Sequence, residues 1–178
     1  MMALVPFAPT HFTPLLGWFP SYADLVQWGG PLLEFPLSHG QLERMLAEGR
    51  SDPPARLCWT AVFDGELAGH VQLAFDWRNG NVVLGRVAIA PEMRGRRLAG
   101  RMIALAIDKA FGFQAIERLE LNVFTWNTPA IRTYEALGFT LEGVRRASAR
   151  VEGERWDTAI MSLLRTELSR ATAPHAGG

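Results

Sequence analysis

The sequence predicts an α/β (α+β) fold, a single domain on a mixed, mostly antiparallel twisted sheet flanked by helices. Three observations predict it. Strand-like runs recur through the chain and are punctuated by the turns Asp64-Gly65, Asn79-Gly80 and Glu152-Gly153. A segment of helical period separates two of these runs, which implies a parallel pair joined by a crossover. The 178 residues, 48% hydrophobic and 20% charged, suit one domain large enough to bury a core.

Residues 1–56 are rich in proline, tryptophan and glycine, with helical stretches at 10–18, 21–27 and 38–48. Ser38 is an N-cap with Gln41 three residues on, and Leu42, Met45 and Leu46 carry the helical period. Strands follow at 57–63 and 67–75, with Asp64-Gly65 as the hairpin between them. A turn at Arg78-Asn79-Gly80 leads to a strand at 82–90, which Pro91 ends because proline cannot donate to a central ladder. The spacing of Leu98, Met102, Leu105, Ala106 and Ile107 predicts a helix over 94–112. A strand at 119–124 comes next, then a short helix capped by Asn127 and stopped at Gly138. Strands at 141–151 and 155–164 close the domain, which is expected to span 1–168, and the tail 169–178 is expected to be disordered.

A formal net charge of +0 argues against a protein that coats nucleic acid or an anionic membrane. Lys109 is the only lysine, so the basic charge is nearly all arginine. Cys58 is the only cysteine and lies in the apolar run Leu57-Cys58-Trp59, the setting of a buried structural thiol. The first nine residues lack a basic start and contain Pro6 and Pro9, unlike a secretory signal. No apolar run approaches the ~20 residues that span a bilayer. A cytoplasmic location is expected, with no metal site and no nucleic-acid or membrane partner.

The stretch from Val87 through Ala88, Ile89, Ala90 and Pro91 to Arg101 carries the most chemistry. It runs from a strand through a glycine-bearing turn into a helix, whose unpaired N–H groups and positive dipole end suit a phosphate. Arg94, Arg96, Arg97 and Arg101 crowd that start, where dipole logic favours acids; they read either as a solvated basic face or as partners of an anion. The run Arg94-Gly95-Arg96-Arg97-Leu98-Ala99, with Gly100 following, resembles the acetyl-CoA-binding motif of the GNAT superfamily of N-acyltransferases, Arg/Gln-x-x-Gly-x-Gly/Ala. Arg97 stands where that motif has its central glycine; either it points away from the loop or its guanidinium reaches a phosphate.

A second block, from Leu121 to Phe139, resembles the GNAT segment Asn-x-x-Ala-x-x-x-Tyr-x-x-x-Gly-Phe. Asn127 and Tyr134 are seven residues apart, about two helical turns, so they share a face with Ala130 between them. The closing segment 145–164, and loosely Trp28-Gly29-Gly30-Pro31 and Phe35-Pro36, is similar to the ribosomal-protein N-terminal acetyltransferase type within that superfamily.

The resemblance implies a GNAT-like sheet of six to seven strands and an acetyl-CoA-dependent N-acetyltransferase acting on a primary amine, either a small molecule or a protein N-terminus. It implies that Val87, Ala88 and Ile89 line the pantetheine arm and that the amides of residues 95–100 cradle the pyrophosphate. Asn127 and Ala130 belong to the cofactor wall, and Tyr134 is the general acid for the leaving thiolate. Some relatives place a glutamate base where this chain has Asn122. Glu120, Asp76, His70 and Glu34 remain base candidates, and some of Trp18, Trp28, Phe35, Trp77, Trp126 and Trp156 are candidates to wall the acceptor site. A homodimer through the final strands is compatible with this fold. The rival reading keeps the fold as a non-catalytic coenzyme A sensor.

Overall fold

The computed structural model describes residues 1–171, with side chains to Leu168; residues 169–171, expected to begin a disordered tail, instead end a helix, and the rest of that tail lies outside the described residues. The sheet has seven strands: β1 Met2–Pro6, β2 Arg56–Phe63, β3 Glu66–Asp76, β4 Asn81–Ile89, β5 Arg118–Phe124, β6 Thr140–Val151 and β7 Glu154–Leu164. Their spatial order is β1-β2-β3-β4-β5-β7-β6. The β4–β5 pair is parallel and the other neighbours are antiparallel. β1 has no counterpart among the expected strands. It is short and ends in proline, which an outer strand tolerates because its N–H side faces no ladder.

The helices are α1 Phe12–Leu16, α2 Tyr22–Gly29, α3 His39–Ala47, α4 Leu98–Phe111, α5 Thr128–Ala136 and α6 Arg165–Ala171. α4 is the crossover between β4 and β5. Its Leu98, Met102, Ile103, Ala106, Ile107 and Ala110 are each at most 5% exposed, and most pack on Val71, Leu73, Leu84 and Leu121 of the sheet. A Cβ on Gly69 would stand 2.8 Å from Met102 Sδ and 2.7 Å from Ala88 O, so glycine lets the helix and β4 approach β3 closely. The opposite side of the sheet carries α1–α3, whose Phe12, Leu15, Leu25 and Leu42 bury against Cys58 and Ala68. Cys58 is buried as expected, and burial pushes its thiol up to about 12. No described helix is long and apolar enough to cross a membrane.

Two irregularities shape the middle of the sheet. His70 pairs with Ala88 and Gln72 with Gly85, so β4 takes three steps (88 − 85) where β3 takes two (72 − 70). The extra residue makes a bulge at Arg86, whose φ is +50°. One turn beyond β4, Gly95 (φ +76°) and Arg97 (φ +58°) are both left-handed, which delays the start of α4 from the expected 94 to Leu98.

Candidate active site

β4 and β5 pair at only four positions, from Asn81↔Arg118 to Leu84↔Leu121. Past that point each stays bonded to its other neighbour, β4 to β3 as far as Ile89 and β5 to β7 as far as Phe124. The strands therefore part, and a cleft of about 330 Å³ opens between them. Gly85, Arg86, Val87, Ala88 and Ile89 line one wall; Asn122, Val123, Phe124, Asn127, Ala130, Thr133 and Tyr134 line the other. Ala90 N–H donates to Ala68 O at 2.9 Å. Alternation along the strand then turns the N–H of Ile89 the other way, into the gap.

Arg94 and Ala99 also line the cleft, where α4 begins. No side chain caps α4, so its first amides are free to meet a ligand. Gly95 has open space where a side chain would stand. The arginines divide. Arg94 faces the cleft and its Nε donates to Ile89 O at 3.4 Å. Arg96 and Arg101 lie over the Phe63 ring at 5.4 and 6.0 Å, away from the cleft lining. Arg97 is exposed and occupies the N-cap position in a conformation that suits glycine. Leu98 is 3% exposed and packs into the α1–α3 side of the core, while Gly100 faces Thr133 of α5.

Asn127 caps α5, its side chain accepting from Ala130 N–H at 3.4 Å, which leaves the amide nitrogen for the cleft. Tyr134 is 7% exposed and its hydroxyl makes no hydrogen bond among the described residues. Burial pushes that hydroxyl up to about 12, so it stays protonated at any physiological pH.

The opposite end of the cleft is walled by Trp18, Phe19, Asp24, Gln27 and Trp28. Trp18 and Trp28 are thus in place, whereas Phe35, Trp77, Trp126 and Trp156 are not in the lining. Trp28 is anchored by its indole N–H, which donates to Arg86 O at 2.7 Å. None of the four base candidates lines the cleft. Glu120 is ion-paired with Arg118 at 2.9 Å, Asp76 is exposed and bonded to Asn79 in its own turn, and Glu34 borders a separate pocket. His70 is 1% exposed, packed by Phe7 and Trp28, and burial drives its imidazole down to about 3. Asn122 accepts from Arg145 at 2.6 Å. The one carboxylate of the lining is Asp24, which sequence reasoning missed. Ser21 three residues earlier caps α2 by accepting from Asp24 N–H and donates to its carboxylate at 2.5 Å.

Residues 22–139 match the acetyltransferase (GNAT) family. The chain is 27% identical over 122 residues to the L-amino acid N-acetyltransferase AaaT of Escherichia coli K12, covering 67% of this chain and 75% of that one. It is 38% identical over 80 residues to the spermidine N(1)-acetyltransferase of the same strain, 45% of this chain and 43% of that one. The fold is shared with the spermidine N-acetyltransferase of Vibrio cholerae, solved with CoA and spermine, at a TM-score of 0.79 and 21% identity, with 93% and 96% of the chains covered. Another structure of the Vibrio enzyme is dodecameric, so assemblies larger than the expected homodimer occur on this fold.

These relatives correct one expectation. The relatives matched are L-amino acid, spermidine and streptothricin acetyltransferases, which overturns the expected likeness to the ribosomal-protein N-terminal acetyltransferase type. The residues behind that expectation have general structural jobs: Trp28 pins α2 to the β4 bulge, and Trp156 packs on Phe124 and Trp126 at 4.9 and 5.1 Å. Such roles do not discriminate between subgroups.

Proposed function

The chain belongs to the acetyltransferase (GNAT) family, and from that premise we propose that it moves the acetyl group of acetyl-CoA onto a primary amine by direct attack in a ternary complex, residues 1–168 acting as one domain. The observation that carries this reading is the parting of β4 and β5 beside an uncapped helix start, with the Tyr134 hydroxyl free at the far wall.

In this reading the thioester supplies the activated acyl group, and the chain's own groups bind and polarise it. Val87, Ala88 and Ile89 offer a strand edge to the pantetheine arm. Gly95, Arg96, Arg97, Leu98, Ala99 and Gly100 turn amides toward the pyrophosphate, with Arg94 beside them. Asn127 donates from its amide nitrogen, and Ala130 keeps the α5 wall low. The Ile89 N–H stabilises the carbonyl oxygen as the amine nitrogen adds to the carbonyl carbon.

Tyr134, expected as the general acid, serves in this reading as a hydrogen-bond donor to the sulfur as the C–S bond breaks. A thiol ionises near ~8.5, below the value of about 12 that burial gives Tyr134. The phenol therefore keeps its proton and stabilises the leaving sulfur as a donor. The proton shed by the amine passes through water, with Asp24 as the one acid of the lining, and ends on the departing thiolate, which leaves as the thiol. Spermidine and L-amino acids, on which the named relatives act, are both primary amines and within reach of this chemistry.

Two measurements test the proposal. Calorimetry is expected to show saturable coenzyme A binding by the full chain, and thiol release from acetyl-CoA should depend on added amine. Absence of the first ends the cofactor assignment; amine-independent release ends the transferase reading.

A further inference from the structure

A second cavity of about 570 Å³ adjoins the cleft beside the end of α2, with Gln27, Trp28, Arg86 and Asn122 among the residues common to both linings. The charged residues lining the second cavity are Arg56, Arg86 and Arg145, and no acid joins them. The three arginines are not equivalent. Arg56 is ion-paired with Glu48 at 2.8 Å. Arg86 and Arg145 have no acidic partner within ion-pair distance among the described residues; Arg86 donates to Gln72 Oε1 at 2.9 Å and Arg145 to Asn122 Oδ1 at 2.6 Å.

Arg86 is held firmly. It sits in the β4 bulge, its carbonyl is taken by Trp28, and its acceptor Gln72 is 0% exposed. That same amide oxygen also receives Arg56 at 3.2 Å, so one neutral oxygen serves two guanidinium groups and neutralises neither. Glu48, the acid whose charge reaches Arg86, is ion-paired with Arg56, so the pair of arginines carries one positive charge more than it has acids, which is unfavourable in a half-buried place unless a ligand supplies the missing charge. Burial, with the positive charge of Arg56 second, pushes Arg86 down to about 10, so it remains charged at neutral pH.

Resting on the acetyltransferase reading above, we propose that the acceptor amine also carries a carboxylate, held by Arg86 where the two linings meet, with Arg145 of the second cavity beside it. Across both linings Asp24 is the single acid, set against Arg56, Arg86, Arg94 and Arg145. A polycation such as spermidine meets an unfavourable field there. A zwitterion finds an acid for its ammonium and planar guanidinium forks for its carboxylate.

Matched acceptors test this with the full-length protein and a thiol-release assay: α-amino acids, their methyl esters, the corresponding decarboxylated amines, and spermidine. The expected result is a preference of about tenfold or more in kcat/KM for the free carboxylate. The methyl esters have the less basic amines, more of which are unprotonated at neutral pH, so a preference over them cannot come from amine availability. Arg86→Gln should remove the preference by raising KM for the amino acid while KM for acetyl-CoA stays put, and Arg86→Lys should restore part of it. Arg145→Gln, at an exposed position, should give a smaller change in the same direction. Equal or better use of esters, decarboxylated amines or spermidine overturns the carboxylate subsite and leaves amine acetylation standing. Thiol release with none of the amines overturns both. The wild-type comparison decides the matter even if Arg86→Gln fails to fold.

Discussion

The two sides of the cleft are built by different means. Residues 81–139 contribute a main-chain frame, a parted strand, a turn with two left-handed residues and an uncapped helix start, to which the side chains of Asn127 and Tyr134 are added. Residues 9–54 contribute side chains, with Trp18, Phe19, Asp24, Gln27 and Trp28 reaching the cleft from α2 and the loop before it. A ligand gripped through amides constrains spacing and glycine placement, so it leaves a pattern along the chain. A ligand read by side chains constrains only which residues meet in space, and many sequences satisfy that.

If the division is real, substitutions on the two sides should separate in kinetics. The largest effect is expected at Tyr134, where Tyr134→Phe should lower kcat by about 10²-fold or more and leave acetyl-CoA affinity nearly unchanged. Steady-state kinetics with a calorimetric Kd checks this, and equal losses in both would make Tyr134 part of the binding wall. Because its hydroxyl titrates only near about 12, no alkaline loss from this group is expected below that value.

The acceptor side should instead be sensitive to acid through His70, buried under Phe7 and Trp28. An unfolded imidazole takes its proton near ~6.5, the folded one only near about 3. Stability is therefore full above the unfolded value and is lost as pH falls through that window, by up to about 1.4 kcal/mol per pH unit. Denaturant melts at several pH values check the slope, which His70→Gln should reduce most between pH ~6.5 and ~4.5, above the range where Glu142, held down to about 2 by Arg118, takes its proton. Asp24→Asn comes next: KM for the amine should rise roughly tenfold with KM for acetyl-CoA unchanged, and a change in both would place Asp24 in the fold rather than the site.

The smallest effect is expected at Arg97. Its φ of +58° costs a non-glycine residue about 1–2 kcal/mol, partly offset because glycine loses more entropy on folding. Arg97→Gly should thus leave the melting temperature unchanged or slightly raised and coenzyme A affinity within about threefold, since one exposed charge contributes little. A loss of tenfold or more would show that the guanidinium holds a phosphate.

Much of the main-chain side could be read in advance. The crossover, the turn around Gly95 and the capping Asn127 follow from local rules of period and punctuation, and the structure contains all three. The bulge at Arg86 could not be read, because it depends on how β4 registers against β3. Nor could the fate of the candidate bases. Strand alternation says that His70 and Glu120 each choose a face, but only the packing shows one sealed beneath α2 and the other paired with Arg118. Asp24 had a visible pattern in Ser21-x-x-Asp24, yet that pattern marks where a helix begins and says nothing about what it faces. Local rules likewise missed β1, whose place depends on pairing with a strand more than 50 residues later, Met2 opposite Phe63.

The extra residue in β4 has a consequence for how this scaffold can change. Arg86 sits in the bulge beyond the point where β4 leaves β5, and it lines both cavities. Removing it would give β4 the same number of steps as β3 and flatten the bulge, taking away the carbonyl that holds Trp28 and with it the shape of both cavities. Replacing it in place keeps the bulge and changes only the side chain that lines the two cavities and bonds Gln72. Diversification at this position is therefore open to substitution and closed to deletion.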